Sequence, residues 1–260
     1  GNDPERKEKF AWSAERLRQC FFACPSYDML IPALLEGGLE ELPTRVFLQP
    51  GIPCKPMLAT PSRNFTDGLA RHADAELCCE FKYDGLRAQF HLLPDGSVRV
   101  FSRKLENITS AYPDAIATVV KALRGHCCIL DAEIVGIDRT TGQLLSFQQL
   151  SNRGRKNVDV NSLGASVAIC VCLFDILFQE GLPLLDVPLR ERRRLLHQLV
   201  DFACVPGELE IVREKMTRDA EEIESFFREA LQAHCEGLMV KVLDGEEGRY
   251  VPHQRSLHWF

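Results

Sequence analysis

The sequence predicts an α+β fold of antiparallel sheets with packed helices, and three observations carry that expectation. Apolar runs of strand length recur through the chain, at residues 77–81, 86–93, 128–137 and 167–174 among others. Turn residues join several of them at close spacing, as at Asp84-Gly85 and Pro94-Asp95-Gly96. Helical stretches fall between the strands without the regular alternation of a doubly wound parallel sheet. With 260 residues, 45% hydrophobic and 26% charged, the chain has material for one large core and a small attachment.

Taken in order, residues 1–48 read as helical: residues 8–22 mix charge with apolar spacing, and residues 27–35 are followed by Gly37-Gly38 as a stop signal. This part is too short for a core of its own. Leu48-Gln49-Pro50-Gly51-Ile52-Pro53 reads as a linker, so the chain divides into residues 1–48 and a main domain over 49–260. There, residues 77–82 read as a strand that turns through Asp84-Gly85 as a hairpin into 86–93, with a further strand at 97–102. Residues 112–123 read as a helix, 128–137 as a strand, and Asp138-Arg139-Thr140-Thr141-Gly142 as a turn. The apolar run at 167–178 is a buried strand, too short to cross a membrane as a helix. Pro188 opens a helix over 189–200, Asp219 caps another over 220–233, and 238–242 is a last strand.

The net charge of −6 argues against a freestanding nucleic-acid binder, so any DNA contact is expected to be local. The eleven cysteines are odd in number, irregular in spacing and set mostly in apolar runs, which reads as reduced thiols in the cytosol or nucleus. No C-x-x-C pair or histidine cluster has metal-ligand spacing, so structural zinc is not expected. The polar opening Gly1-Asn2-Asp3-Pro4-Glu5-Arg6-Lys7 does not read as a signal peptide.

The segment Glu80-Phe81-Lys82-Tyr83-Asp84-Gly85-Leu86-Arg87 sets a lysine where an apolar strand breaks into a turn, a rigid position for a covalent nucleophile. The amine acts only when neutral, a state that burial and neighbouring cations favour. Glu80 and Lys82 share a strand face, as do Asp131 and Glu133. A surface Glu/Lys ladder is the alternative for the first pair. Two carboxylates on one face need a cation or polar ligand, although Asp131 reads equally well as a strand-end hydrogen-bond acceptor. Arg103 suits phosphate oxygens, or else pairs with Glu106 or Asp114. Phe174, inside an apolar run, reads as core. Glu236 opens a strand at Gly237, a residue that permits close backbone approach. Of two basic clusters, the loop-like Asn152-Arg153-Gly154-Arg155-Lys156-Asn157 could meet DNA phosphates, whereas Arg190, Arg192, Arg193 and Arg194 read as a solvated, salt-bridged helix face.

Lys82-x-Asp84-Gly85 with Arg87 resembles motif I of the covalent nucleotidyltransferases, the superfamily of ATP-dependent DNA ligases, RNA ligases and mRNA capping enzymes. The other motifs follow in the family's order: Phe101-Ser102-Arg103, Asp131-Ala132-Glu133, Leu173-Phe174-Asp175 and Glu236-Gly237-Leu238-Met239-Val240-Lys241. Segments such as Pro50-Gly51-Ile52-Pro53-Cys54-Lys55-Pro56-Met57-Leu58-Ala59 resemble eukaryotic ligases of the ligase I type, with coverage from about Tyr27 to Trp259.

The resemblance implies an ATP-grasp-like adenylation domain over 49–260, preceded by the last helices of a DNA-binding domain. It implies that Lys82 takes AMP from ATP and that the nick in duplex DNA is sealed through this lysyl-AMP. It assigns Glu80 to adenine, Arg87 and Glu133 to the ribose or phosphate end, Arg103 to phosphates of the nucleotide or the nick, Phe174 to stacking on the base, and Lys241 to the end of motif IV. Glu236 and Glu133 become ligands of Mg2+. A monomer in the nucleus, or a mitochondrial form, is implied, with replication or repair partners outside this segment.

Trp259-Phe260 matches the start of motif V, whose lysines would follow, as would the oligonucleotide-binding domain that carries motif VI. The expectation is a domain truncated at motif V. An mRNA capping guanylyltransferase and a non-catalytic module that binds nucleotide or a partner are the alternatives.

Overall fold

The computed structural model of the protein describes residues 4–62, 65–138, 140–151 and 167–260. Its largest sheet is built on Cys128–Ile137, which pairs antiparallel with Leu86–Leu92 on one side and Ala168–Gln179 on the other. Val98–Ser102 continues the sheet antiparallel beyond Leu86–Leu92, and the short Leu209–Ile211 joins Ala168–Gln179 in parallel. A second sheet sets Leu77–Lys82 between Glu214–Thr217 and Gly237–Val242, antiparallel to both. The α+β architecture with mainly antiparallel sheets is as expected.

Alternation along the strands divides the large sheet into two faces. Ala88, Phe90, Leu130, Ala132, Ile134, Val171 and Leu173 pack under the helices Pro113–Leu123 and Leu189–Leu199, which contribute Ala115, Val119, Ala122, Leu196 and Leu199. This is the main core. The intervening residues, including Arg87, Asp131 and Glu133, point away from those helices toward the second sheet.

The two sheets correct the hairpin expected at Asp84-Gly85. Leu77–Lys82 and Leu86–Leu92 do not pair with each other; the turn carries the chain from one sheet to the other. A Cβ at Gly85 would lie 2.5 Å from the Ile134 carbonyl oxygen and 2.9 Å from Glu133 Cγ, so only glycine fits this crossing.

The helix caps follow the sequence. Asp219 accepts hydrogen bonds from the Glu221 and Glu222 amides at the start of Ala220–Gln232, and Pro188 precedes Leu189–Leu199. At the N-terminus, helix Pro4–Ala23 packs on the helical run Tyr27–Arg45. Gly38 does interrupt that run, with φ of 66°, but the helix resumes beyond it. The pair also closes a small cluster that the sequence did not lead us to expect, with Cys20, Cys24, Leu30, Ala33, Leu42 and Val46 buried. It meets the main domain where the Lys55 amide donates to the Phe22 carbonyl, 2.9 Å away.

Candidate active site

A cavity of about 730 Å³ opens between the two sheets. Its lining includes Glu80, Lys82, Arg87, Arg103, Glu133, Phe174, Glu236 and Lys241, so one site gathers the nucleotide and metal candidates chosen from the sequence.

Lys82 owes its direction to its strand. Leu77, Cys79 and Phe81 pack on Ile223, Phe226 and Ala230 of helix Ala220–Gln232, which turns Glu80 and Lys82 to the cavity side. Gly237 lies opposite Lys82 with φ of 145°, a conformation that favours glycine, and the Glu236 amide donates to the Lys82 carbonyl at 2.8 Å. That backbone contact brings the Glu236 carboxylate into an ion pair with Lys82 Nζ, both side chains being half-exposed.

Behind Lys82 the charges are buried and paired. Glu80 Oε2 lies 2.5 Å from Lys241 Nζ, and Glu80 Oε1 accepts from Arg193 Nη2. With both oxygens engaged and the residue only 2% exposed, Glu80 holds Lys241 in place. Reading a base would require it to give up one of these contacts. Lys241 Nζ in turn lies 4.8 Å from the centre of the Phe174 ring and 4.3 Å from that of Trp259.

Phe174 reaches the cavity by alternation: Val171 and Leu173 face the main core, and Cys170, Cys172 and Phe174 face the other way. Asp131 pairs with Asp175 and Ala132 with Leu173, so a β-bulge leaves Phe174 as the unpaired residue beside Asp175. Burial and site exposure therefore coexist: Phe174 is 9% exposed and lines the pocket.

Asp131 is the acceptor of a compact network. Arg87 Nε and Nη2 donate to its two oxygens at 3.1 and 2.7 Å, and the Tyr250 hydroxyl donates to Oδ2 at 2.9 Å. Arg87 Nη1 also donates to the Met57 carbonyl at 2.8 Å. Arg87 is thus fixed with its guanidinium 5.2 Å from the Phe174 ring centre. Its neighbour on the cavity face, Glu133, has no such partner among the described residues. Burial pushes the Glu133 carboxyl up to about 8, against the pull of Arg87. A buried carboxyl of this kind suits a cation ligand, and Glu236 is a further acid on the wall. Arg103 is exposed at the rim, after the edge strand Val98–Ser102.

The helix Leu189–Leu199 corrects the reading of its arginines as a solvated face for two of the four, Arg192 and Arg193. Arg190 and Arg194 are exposed and bridged, to Asp244 and Glu76 and to Glu191 respectively. Arg192 and Arg193 are fully buried. Arg192 makes a two-pronged contact with Asp175, 2.7 and 2.9 Å, while Arg193 meets Glu80. Burial raises the Asp175 carboxyl, but Arg192 outweighs it and holds the group below the usual range. The available signal was an acid in each of two apolar strands, Glu80 and Asp175, since buried carboxylates require cationic partners. Tyr250 carried no local signal at all. Arg153, Arg155 and Lys156 lie outside the described residues.

A family model described as "ATP dependent DNA ligase domain" matches residues 56–260. DNA ligase 3 of Schizosaccharomyces pombe is 40% identical over 263 residues, covering 99% of this chain and 34% of that protein. DNA ligase 1 of the same yeast is 42% identical over 245 residues, 94% of this chain and 31% of that protein. The chain thus spans about a third of the length of these curated relatives. Among solved structures, the ligase domain from M. tuberculosis LigD matches with a TM-score of 0.59 and 28% identity, over 78% of this chain and 58% of that one. With matches of this extent over a fold whose cavity gathers the motif residues, the chain belongs to the family of ATP-dependent DNA ligase domains.

Proposed function

We propose that this chain is the adenylation domain of a ligase I type enzyme that seals nicks in duplex DNA, with Lys82 as the nucleophile. The observation that carries the reading is the position of Lys82, a strand-end amine on the wall of the cavity that also holds Arg87, Arg103, Glu133, Phe174 and Lys241.

The Lys82 amine attacks the α-phosphorus of ATP; a P–N bond forms, the bond to pyrophosphate breaks, and AMP remains as a phosphoramidate. The base stacks on Phe174, beneath the cations Arg87 and Lys241. Arg103 at the rim is placed for phosphate, of the nucleotide or of the nick. An oxygen of the nick 5′-phosphate then takes the AMP from Lys82, and the 3′-hydroxyl displaces AMP to form the phosphodiester bond. Glu236, which now neutralises Lys82, and Glu133 would hold a divalent ion such as Mg2+. With Glu236 engaged in that way the Lys82 amine would lose its counter-charge, and a bound ion would supply neutralisation of phosphate charge. The free cysteines suit a reducing compartment, and we assign the enzyme to the nucleus, with a mitochondrial form as the alternative.

The test is labelling with α-³²P-ATP. The Lys82→Ala variant is expected to keep its fold by circular dichroism and to take up no acid-labile, base-stable label. Wild-type labelling in that variant would remove Lys82 from the mechanism.

A further inference from the structure

Outside the nucleotide cavity, His72, Glu247 and His258 bring a ligating atom each to within 4.8 Å of one another. His72 follows the helix Phe65–Arg71, Glu247 lies in the loop after Gly237–Val242, and His258 precedes Trp259. We propose that these three residues form a zinc-class transition-metal site that pins the Trp259-Phe260 wall of the nucleotide cavity to the His72 turn and the Glu247 loop.

The hydrogen bonding of His72 sets its tautomer. Its Nε2 lies 3.1 Å from the Leu257 carbonyl oxygen, which can only accept, so Nε2 carries a proton and donates it. Backbone anchoring of one ring nitrogen is the usual support of a metal-bound histidine, and it aims the other nitrogen at the ion. Here that nitrogen, Nδ1, faces Glu247 Oε2 at 3.5 Å. His258 Nδ1 faces the same oxygen at 3.6 Å, is shut off from solvent and has no hydrogen-bond partner.

These distances favour a metal over a simple ion pair. A charge-assisted N–H···O contact closes to about 2.7–2.9 Å. Ligands about 2.0–2.1 Å from a tetrahedral ion stand about 3.3 Å apart, within a few tenths of the two N···O distances to Glu247, and all three atoms lie within 4.8 Å of one another. Two imidazoles and one carboxylate are a zinc ligand set that leaves the fourth position for water. His72 is buried, whereas His258 and Glu247 are partly exposed and give the ion a way in.

Two other clusters compare poorly. Cys78 and Glu214 converge on Glu80, whose charge Lys241 and Arg193 already neutralise. Cys170 and Cys172 meet Glu210, but the hydrogen bond from Cys170, with burial, pushes the Cys172 thiol well up and opposes the thiolate a metal needs. The His72 site also touches the nucleotide cavity through its neighbours. The His72 ring stacks on Phe260 at 5.9 Å, and Phe260 lines the cavity against Gly68.

The experiment is a Co2+ titration of the chelator-treated, reduced protein, followed by visible absorption and then displaced with Zn2+. One equivalent is expected, with the ligand-field bands of a four-coordinate nitrogen and oxygen site and no thiolate-to-metal charge transfer. Loss of an outer-shell partner alone weakens metal binding ~10–100-fold, so His258→Asn and Glu247→Gln, which remove ligands, should each weaken it by at least ~100-fold. Both positions are partly exposed, and circular dichroism checks that each variant folds. Unchanged affinity in both variants, a strong thiolate band, or no stoichiometric binding by the folded wild type would overturn the proposal.

Discussion

Glu80 and Lys241 lie on neighbouring strands and form an ion pair of 2.5 Å that is almost wholly closed to solvent. Arg193 completes it from the helix behind, so one carboxylate holds two buried cations. Lys82, two residues beyond Glu80, and Glu236, just before the strand that carries Lys241, form the opposite kind of pair, half-exposed at the cavity mouth. One pair is closed off and supports the site, and the other is the one we propose takes part in its chemistry.

The two pairs should separate in mutagenesis. Glu80→Ala strands Lys241 as a buried charge and leaves Arg193 only Glu214, 3.5 Å away, and breaking a buried pair from one side costs about 3–5 kcal/mol. Glu236→Ala removes a half-exposed partner, for which a loss of about 0–1 kcal/mol is typical. Urea denaturation should therefore show a large fall for the first variant and little change for the second. Labelling with ATP should nevertheless fall in Glu236→Ala. Equal stability losses would show that the burial of Glu80 has no energetic weight.

Glu133 gives a pH dependence with a definite sign. Its carboxyl stands at about 8 in the folded protein and about 4.3 when unfolded, so the folded state binds more protons between those values. Its contribution to stability is present in full below pH ~4.3 and is lost as pH rises to about 8. Glu133→Gln, which keeps the neutral shape, should therefore gain on the wild type progressively across that window in denaturation midpoints without divalent ions. Parallel curves for the two proteins would show that Glu133 titrates normally.

The legible parts of this site were those with a local signal. Alternation of Leu77, Cys79 and Phe81 against Glu80 and Lys82 is enough to place the lysine on an exposed face, and the order of the motifs led to the remaining wall residues. A turn dipeptide, by contrast, reports a change of direction and not which strands pair, so Asp84-Gly85 looked like a hairpin when it joins two sheets. Arg190 and Arg194 lie on the solvated, salt-bridged face that was expected, but Arg192 and Arg193 were misread because helix-face reasoning assumes water opposite a charge run. Here Asp175 and Glu80 stand there. The His72, Glu247 and His258 cluster joins segments far apart in sequence, and no spacing rule could show it.

Base selectivity separates ligase chemistry from capping chemistry. If Phe174 stacks the base and the polar groups of the closed end read its edge, the wrong base leaves some of them unpaired. ATP should then label Lys82 at least ~10-fold better than GTP at equal concentration. Comparable labelling by GTP would favour a guanylyltransferase.

The crossing at Gly85 offers the sharpest test of how the fold positions Lys82, the proposed nucleophile. An added methyl would meet the Ile134 carbonyl oxygen at 2.5 Å, and that oxygen belongs to the central strand of the large sheet, which cannot give way easily. The crossing must move instead, carrying Lys82 on one side and Arg87 on the other. Overpacking of this kind costs about 1–3 kcal/mol. A misplacement of about 1 Å at a reacting group can cost ~100-fold in rate. Gly85→Ala should therefore lose more in labelling rate than its stability loss explains, with Lys82 and Glu236 both intact. Full labelling activity in a folded Gly85→Ala protein would show that the crossing has slack and that the position of Lys82 is set by its strand alone.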